Sequence, residues 1–214
     1  MKHELRWRME DGRRLGLLVW RFPSTMLAIS SAPLGGGLGR RDWVVNGQVA
    51  IAYDRPDADR HLVELAGGAG LEGDGIGLLT AAEVPAVQVA VDRGAHVAVT
   101  VGLTHPTWAA ASDDDPNPAP VGTINLVAFL PERLTDAALV NAVATVTEAK
   151  TQALWECGVE GTGTATDAVA ILCPVSGSAA PFGGPRSLWG SRLARAARAA
   201  VSVGTEACLG DAGR

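Results

Sequence analysis

The sequence has few of the residues that indicate a metal site, a disulfide framework or a nucleic-acid partner. It contains three cysteines and four histidines in 214 residues, and its formal net charge is -5. Cys157, Cys173 and Cys208 are odd in number and lack metal-ligand spacing. We therefore expect free thiols that fill the core in a reducing compartment, no metal held by the protein and no nucleic-acid partner.

Long apolar segments are also missing. Residues 1–16 are charged throughout and lack the apolar region of a signal peptide, and no later run has the length of a membrane span. We therefore expect a cytoplasmic protein that has no membrane partner. The length suits a single domain, residues 1–214.

What the sequence does contain is a series of short apolar runs punctuated by Gly, Pro and Asn, mixed with helical patterns. Strands are predicted at 15–22, 26–31 and 43–51, and in "GIGLLTAAEV", "QVAVDRG", "AHVAVTVGL", "GTINLVAFL" and "DAVAILCP". Helices are predicted for "ADRHLVELAGG", from Thr135 and Asp136 to about Cys157, and for "SLWGSRLARAARAAVSV". "ASDDDPNPAP" is typical of a surface loop. The pattern predicts an α/β (α+β) domain with a mixed β-sheet and packed helices.

Two helix-to-strand passages resemble each other. "GDGIGLLTAAEV" and "GTGTATDAV" share the order Gly-x-Gly, Thr and an acidic residue. A duplicated α/β half would explain this similarity, and so would chance, because the shared pattern is short.

The second long helix carries a lysine where an apolar residue is expected. At about 100° per residue, Lys150 falls inside the stripe formed by Leu139, Val146 and Leu154, while Glu148 lies about 160° away. A lysine in an apolar stripe is stable if its head reaches water or meets a carboxylate. One interpretation is therefore a side chain that extends to water at the helix edge.

The other interpretation is an ion pair with the Gly-Thr turn that follows. "GTGTATDA" brings the chain back from the helix into a strand beginning at Asp167, so Asp167 is a natural partner for Lys150. We expect a partly buried Lys150 that points toward this turn, with Thr164 and Thr166 beside it. Alternatively, Asp167 only caps the turn.

A glycine-rich segment, "SSAPLGGGLG", follows a predicted strand. Consecutive glycines allow close approach of backbone N–H groups to an oxyanion, so Ser31 and Gly35, Gly36 and Gly37 are candidates for substrate binding. The segment has neither P-loop nor dinucleotide-binding spacing, and a flexible turn is the alternative. If the segment lines the site, Gly36→Val should impair turnover and leave unfolding nearly unchanged.

Other candidates lie near strand ends. Thr123 and Asn125 share one face of a strand and could bind an amide, or they could satisfy nearby loop backbone. His105 precedes Pro106 at a strand end, and the histidines include no HExxH pair. No strand-to-helix GxSxG elbow is present. Asn46 and Thr80 complete the polar candidates.

Taken in order, the segments "SSAPLGGGLG", "WVVNGQV", "GIGLLTAAEV", "VTVGLTHP", "GTINLVAFLPERLTDAALVNAVATVTEAKTQAL", "GTGTATDAV" and "FGGPRSLWGSRLARA" resemble the adenosylcobinamide amidohydrolase family, from about residue 24 to 204. The resemblance implies hydrolysis of the amide between aminopropanol and the corrin ring, which gives adenosylcobyric acid in cobalamin salvage. Cobalt would arrive with the corrinoid substrate, so no further cofactor is expected. Val101 and His105 depart from the family pattern.

Residue chemistry within these segments then suggests roles. Glu148 or Asp167 could be the base, Asn125 or the glycines oxyanion donors, and Lys150 a charge stabiliser or proton donor. The flat macrocycle also favours aromatic walls, for which Trp43, Trp108, Trp155 and Trp189 are available. A corrinoid-binding sensor without catalysis and an amidase for another amide remain alternatives, and homo-oligomerisation is left open.

Overall fold

One mixed β-sheet carries the helices of the described chain. A computed structural model describes residues 2–112 and 122–212. The strands are β1 (Glu4–Glu10), β2 (Arg13–Ser30), β3 (Gly37–Gln48), β4 (Gly75–Thr80), β5 (Gln88–Asp92), β6 (Ala95–Gly102), β7 (Thr123–Phe129) and β8 (Ala168–Pro174). The helices are α1 (Ala58–Gly68), α2 (Asp136–Glu156) and α3 (Leu188–Ala212), with a short 3₁₀ helix at Val84–Ala86. The predicted α+β class is confirmed.

The sheet has the order β4-β3-β2-β8-β7-β6-β5, and β1 pairs with the first part of β2. Side chains alternate along a strand. Leu17 and Val19 of β2 therefore pack with α1, whereas Leu18 and Trp20 belong to an inner layer that also contains Phe129. That inner layer joins β2–β4 to β6–β8, and α2 and α3 cover the outer face of β6–β8. The sheet thus folds over on itself, with helices outside.

The two halves of the chain have the same topology. In each half three strands pair antiparallel in sequence, a helix follows, and the last strand returns parallel to the third: β1–β3, α1, β4, and then β5–β7, α2, β8. The two similar sequence passages do not occupy equivalent places, because 75–80 forms β4 whereas 161–167 precedes β8. The support for a duplicated half thus comes from the repeated order of strands and helix, which is stronger evidence than the similarity of the two short passages.

Three strands differ from the sequence prediction. β1 was not predicted, because its apolar residues Leu5, Trp7 and Met9 are all exposed and it is held mainly by backbone pairing with β2. β2 is one strand of 18 residues where two were predicted, since it continues past Pro23 through an irregularity between Arg21 and Met26. β3 begins at Gly37 and not near Trp43.

The other predicted elements are confirmed, although α3 continues to Ala212 whereas the pattern predicted a helix that ends at Val203. The hydroxyl of Thr135 accepts the N–H of Ala138 at 3.2 Å and caps α2. The three cysteines are free and contribute to the core beneath α2 and α3, and burial raises the pKa of the Cys173 thiol. The predicted loop "ASDDDPNPAP" lies almost wholly outside the described residues. Across the described residues, none of the helices combines the length and apolarity that crossing a bilayer requires.

Candidate active site

A cleft of about 560 Å³ opens at one end of the sheet, where β2, β3 and β4 end and β7 and β8 begin. Five of the predicted site residues line it: Ser31, Thr80, Thr123, Asn125 and Thr166. A second pocket, of about 260 Å³, shares Ile51, Ala81 and Thr123 with the cleft and adds Glu83. The fold therefore brings together polar residues that are up to 135 positions apart, from Ser31 to Thr166, at one opening.

Asn125 is buried at the floor of the cleft and is held by residues from the other half of the sheet. Its Nδ2 donates to the Oδ1 of Asn46 at 3.0 Å and to the carbonyl of Leu79 at 2.8 Å. Asn46 in turn donates to Thr100 at 3.0 Å. Both hydrogens of the Asn125 amide are thus used within the protein, and Oδ1 is the atom it can offer a ligand. This geometry does not suit the predicted oxyanion donor and suits an acceptor for an N–H or O–H group.

The threonines at the cleft form a chain of hydroxyls. Thr166 donates to the carbonyl of Gly122 at 2.9 Å, and the hydroxyls of Thr123 and Thr166 lie 2.7 Å apart. Because the single proton of Thr166 goes to Gly122, Thr166 accepts from Thr123. Thr80 is buried, and its hydroxyl accepts the N–H of Ala82 at 3.1 Å. These bonds fix the side chains before any ligand binds.

The predicted contact between Lys150 and the turn is confirmed. Lys150 is buried, with 6% of its surface exposed, and its ammonium donates to the Oδ2 of Asp167. Asp167 also accepts the N–H of Ile124 at 2.9 Å and the N–H of Thr164 at 3.1 Å, and the Thr164 hydroxyl lies 2.5 Å from Oδ1. Extension of the lysine to water at the helix edge is therefore wrong.

These partners bear on the roles suggested for the charged residues. Two contacts to each carboxylate oxygen occupy the acceptor capacity of Asp167, which leaves little for a base that must take a proton from water. Neither Lys150 nor Asp167 is among the residues that line the cleft. Instead, the pair ties α2 to the turn and to the start of β7, so it positions Thr123 and Thr166. Glu148 is exposed on the outer side of α2, away from the cleft.

The glycine-rich segment is divided between two places. Ser31 lines the cleft, and its hydroxyl accepts the N–H of Val169 at 3.0 Å. Gly35 instead lines a different pocket beside α1, and its carbonyl accepts from Arg41 at 2.9 Å. A side chain at Gly36 would put its Cβ 2.7 Å from the carbonyl oxygen of Ala32. The expectation that Gly36→Val leaves unfolding unchanged is therefore wrong, and close approach of the backbone explains Gly35 and Gly36 without a substrate. Substrate binding by Gly35, Gly36 or Gly37 stays a prediction.

Gly35→Ala should test this structural explanation. Gly35 has φ +70, and a Cβ there would lie 2.0 Å from the carbonyl oxygen of Gly75. Gly70 has φ +62, and a Cβ there would meet nothing within 4 Å, so Gly70→Ala is a control for backbone strain alone. Left-handed strain costs about 1–2 kcal/mol, and Gly35→Ala should cost clearly more than Gly70→Ala in urea unfolding. Equal costs would show that the close approach is unimportant.

Neither His105 nor Thr164 is among the residues that line the cleft. The segment that follows His105 pairs with the Gly-Thr turn, since Thr107 donates to the carbonyl of Gly163 at 2.8 Å and Thr162 donates to the carbonyl of Thr107 at 2.9 Å. The Thr164 hydroxyl lies 2.7 Å from the carbonyl oxygen of Gly122. Thr164 therefore supports the wall of the cleft, and a direct substrate contact from His105 or Thr164 stays a prediction.

Comparison with known proteins decides the family. A model of the adenosylcobinamide amidohydrolase family matches residues 2–212. This chain belongs to that family.

Two curated relatives carry the same name. An adenosylcobinamide amidohydrolase of Methanosarcina mazei is 31% identical over 185 residues, which cover 82% of this chain and 88% of the relative. One of Halobacterium salinarum is 39% identical over 111 residues, or 49% of this chain and 47% of the relative. The family match extends the resemblance seen in the sequence to almost the whole chain.

The aromatic walls expected in this amidohydrolase are not at the cleft. Trp43 lies in the pocket beside α1, and Trp189 is buried with its Nε1 donating to Glu132 at 2.6 Å. Trp108 and Trp155 are exposed and do not line the cleft. The aromatic residue that does line it is Tyr53, the single tyrosine of the chain.

Tyr53 belongs to a network that sequence reasoning missed. Its hydroxyl lies 3.0 Å from the Nδ1 of His61, and the two rings stack with centroids 5.5 Å apart. His61 is buried, and its Nε2 lies 3.4 Å from the Oε2 of Glu10. Burial raises the pKa of the Tyr53 hydroxyl. A lone Tyr directly after the "WVVNGQV" strand was the available signal, but its partners come from α1 and from the unpredicted β1.

Proposed function

We propose that this protein hydrolyses the amide joining aminopropanol to the corrin ring of adenosylcobinamide, and that the products are adenosylcobyric acid and aminopropanol. The reaction would serve cobalamin salvage, in the cytoplasm. Family membership over residues 2–212 supports the reaction class. The observation that carries the proposal for the site is the cleft floored by Asn125, because its free acceptor suits an amide-bearing ligand.

The size and lining of the cleft suggest how the substrate binds. A volume of about 560 Å³ suits one amide-bearing arm better than a whole corrin macrocycle. We assign the arm to the cleft, with the ring over an apolar rim that includes Pro33, Val49 and Ile51. Asn125 accepts a donor from the arm, and Ser31 and Thr80 add hydroxyls from neighbouring strands. Cobalt enters as part of the substrate.

The ion pair of Lys150 and Asp167 does not line the cleft and affects the arrangement indirectly. Lys150 neutralises Asp167, which holds the N–H groups of Ile124 and Thr164. We propose that the pair positions the chain segments that carry Thr123 and Thr166 and makes no direct contact with the scissile amide. Glu148, exposed on α2, has no part in this mechanism.

Incubation with adenosylcobinamide tests the proposed function. Chromatography should show adenosylcobyric acid and free aminopropanol in equal amounts, growing with time and enzyme concentration. Tight binding of adenosylcobinamide without product would instead indicate a corrinoid sensor. The absence of both binding and product would indicate an amidase for another amide, which the fold alone does not exclude.

A further inference from the structure

Among the described residues that line the cleft, one has an ionisable side chain. The lining is otherwise made of apolar, hydroxyl and amide residues, so among the described residues that line it Tyr53 is the only one that can take part in proton transfer as an acid or base. Amide hydrolysis needs a group that takes a proton from the attacking water and a group that returns one to the leaving nitrogen. Asp167 is saturated by its partners and Glu148 lies outside, so neither fills this need.

The contacts that link Glu10, His61 and Tyr53 have defined donors and acceptors. A carboxylate such as that of Glu10 only accepts hydrogen bonds, so in a neutral His61 it favours the tautomer that carries the ring proton on Nε2. The Nδ1 of His61 is then an acceptor and takes the hydroxyl proton of Tyr53 in a hydrogen bond. The Tyr53 oxygen is left with lone pairs for the cleft. The order carboxylate, imidazole, hydroxyl is the one that activates a hydroxyl in other hydrolases.

We propose that Glu10, His61 and Tyr53 form the proton relay of this cleft, with Tyr53 as the catalytic residue that contacts the attacking water. Water gives a proton to the Tyr53 oxygen while the Tyr53 proton moves to Nδ1 of His61. The water oxygen bonds to the amide carbon, and the carbonyl electrons move onto its oxygen. The C–N bond then breaks, and the proton returns through Tyr53 to the leaving nitrogen. One water is consumed, and one acid and one amine are formed.

The raised pKa of Tyr53 is compatible with this relay, because the tyrosine stays neutral at rest and the proton resides on His61 during the reaction. Glu10 stabilises the imidazolium and is itself held by Arg8 at 2.8 Å. The other charged groups near the pair are Arg55 and Asp57, before and at the start of α1, and Glu64 on α1. The side chains of these three make no hydrogen bond to Tyr53 or His61 in the described structure. The carbonyl of Asp57 accepts the backbone N–H of His61 at 3.0 Å.

This inference rests on the proposed function, and kinetics of adenosylcobinamide hydrolysis between about pH 5 and 9 test it. Tyr53→Phe keeps the ring stack and removes the hydroxyl, so kcat should fall at least about 10²-fold with KM within about threefold. The buried Nδ1 of His61 loses its partner, so the free energy of unfolding should also fall. Glu10→Gln should lower kcat, because the imidazolium formed during the reaction loses the carboxylate that stabilises it. Glu4→Gln, on the same strand and also paired with an arginine, should match the parent.

The outcomes separate the two claims. If the parent turns over and Tyr53→Phe has a kcat within threefold of the parent's, the relay alone is overturned. The same holds if Tyr53→Phe shows a loss only in KM or in unfolding. No turnover by the parent overturns the proposed function.

A signal that does not need turnover tests the wiring directly. Tyr53 is the single tyrosine, so tyrosine labelled with ¹³C at Cζ gives one NMR signal. Its chemical shift should change in Glu10→Gln and not in Glu4→Gln, because the Tyr53 hydroxyl is hydrogen-bonded to the ring that Glu10 contacts. A Tyr53 chemical shift that does not respond to a change at His61 or Glu10 contradicts the relay.

Discussion

Lys150→Met should lower the free energy of unfolding by about 3–5 kcal/mol, because it leaves the carboxylate of Asp167 buried without its cation. Lys150 is 6% exposed, and methionine matches its volume without its charge. The turn that carries Thr166 should shift, so adenosylcobinamide hydrolysis should fall at least about 10²-fold, the cost of a misplacement near 1 Å. Urea unfolding and initial rates measure the two effects.

The chain supplies the control for this prediction. Lys2 is the only other lysine and is exposed, so Lys2→Met should unfold and turn over like the parent. The double variant Lys150→Met, Asp167→Asn removes both charges and should recover part of the lost stability. A Lys150→Met protein that unfolds within about 1 kcal/mol of the parent would show that the ion pair does not hold the turn.

Asn125→Asp should be nearly as damaging, although it keeps the shape of the side chain. Aspartate has no N–H for the Oδ1 of Asn46 or the carbonyl of Leu79, so acceptors would face one another in a site that is 1% exposed. Each buried polar group left without a partner costs about 1–3 kcal/mol. Unfolding should therefore move to lower urea, and hydrolysis should fall at least about 10²-fold.

Asn141→Asp makes the same chemical change at an exposed position of α2 and should have little effect on either quantity. If Asn125→Asp unfolds like the parent, the amide hydrogens of Asn125 are not committed to Asn46 and Leu79. The oxyanion-donor role predicted from the sequence would then return.

Local patterns were enough to predict most of the fold and one long-range contact. The helical spacing that places Lys150 among apolar residues, with a carboxylate after a Gly-Thr turn, leaves the ion pair as one of few stable arrangements. The turn is only 17 residues from Lys150, and a helix followed by a packed strand determines where it returns. The contact could therefore be predicted. The further hydrogen bonds that the Asp167 carboxylate accepts from Ile124 and Thr164 could not.

The arrangement of residues in the cleft was harder to predict from the sequence. Asn46 and Asn125 meet because the sheet folds over on itself, and no local periodicity reports that curvature. The relay behind Tyr53 depends on β1, whose half-exposed pattern does not resemble a buried strand. The tryptophans were expected at the cleft because of the substrate's shape, but packing against α1 and Glu132 accounts for Trp43 and Trp189.

A crystal structure of the protein with cobinamide bound tests the central claim most directly, since that claim is that the cleft at the sheet end takes the amide-bearing arm. The scissile amide should lie between Asn125 and Tyr53, with the corrin ring over Pro33 and Ile51. Cobinamide bound instead in the pocket beside Trp43, or against the exposed face that carries Trp155, with the cleft empty, would contradict it.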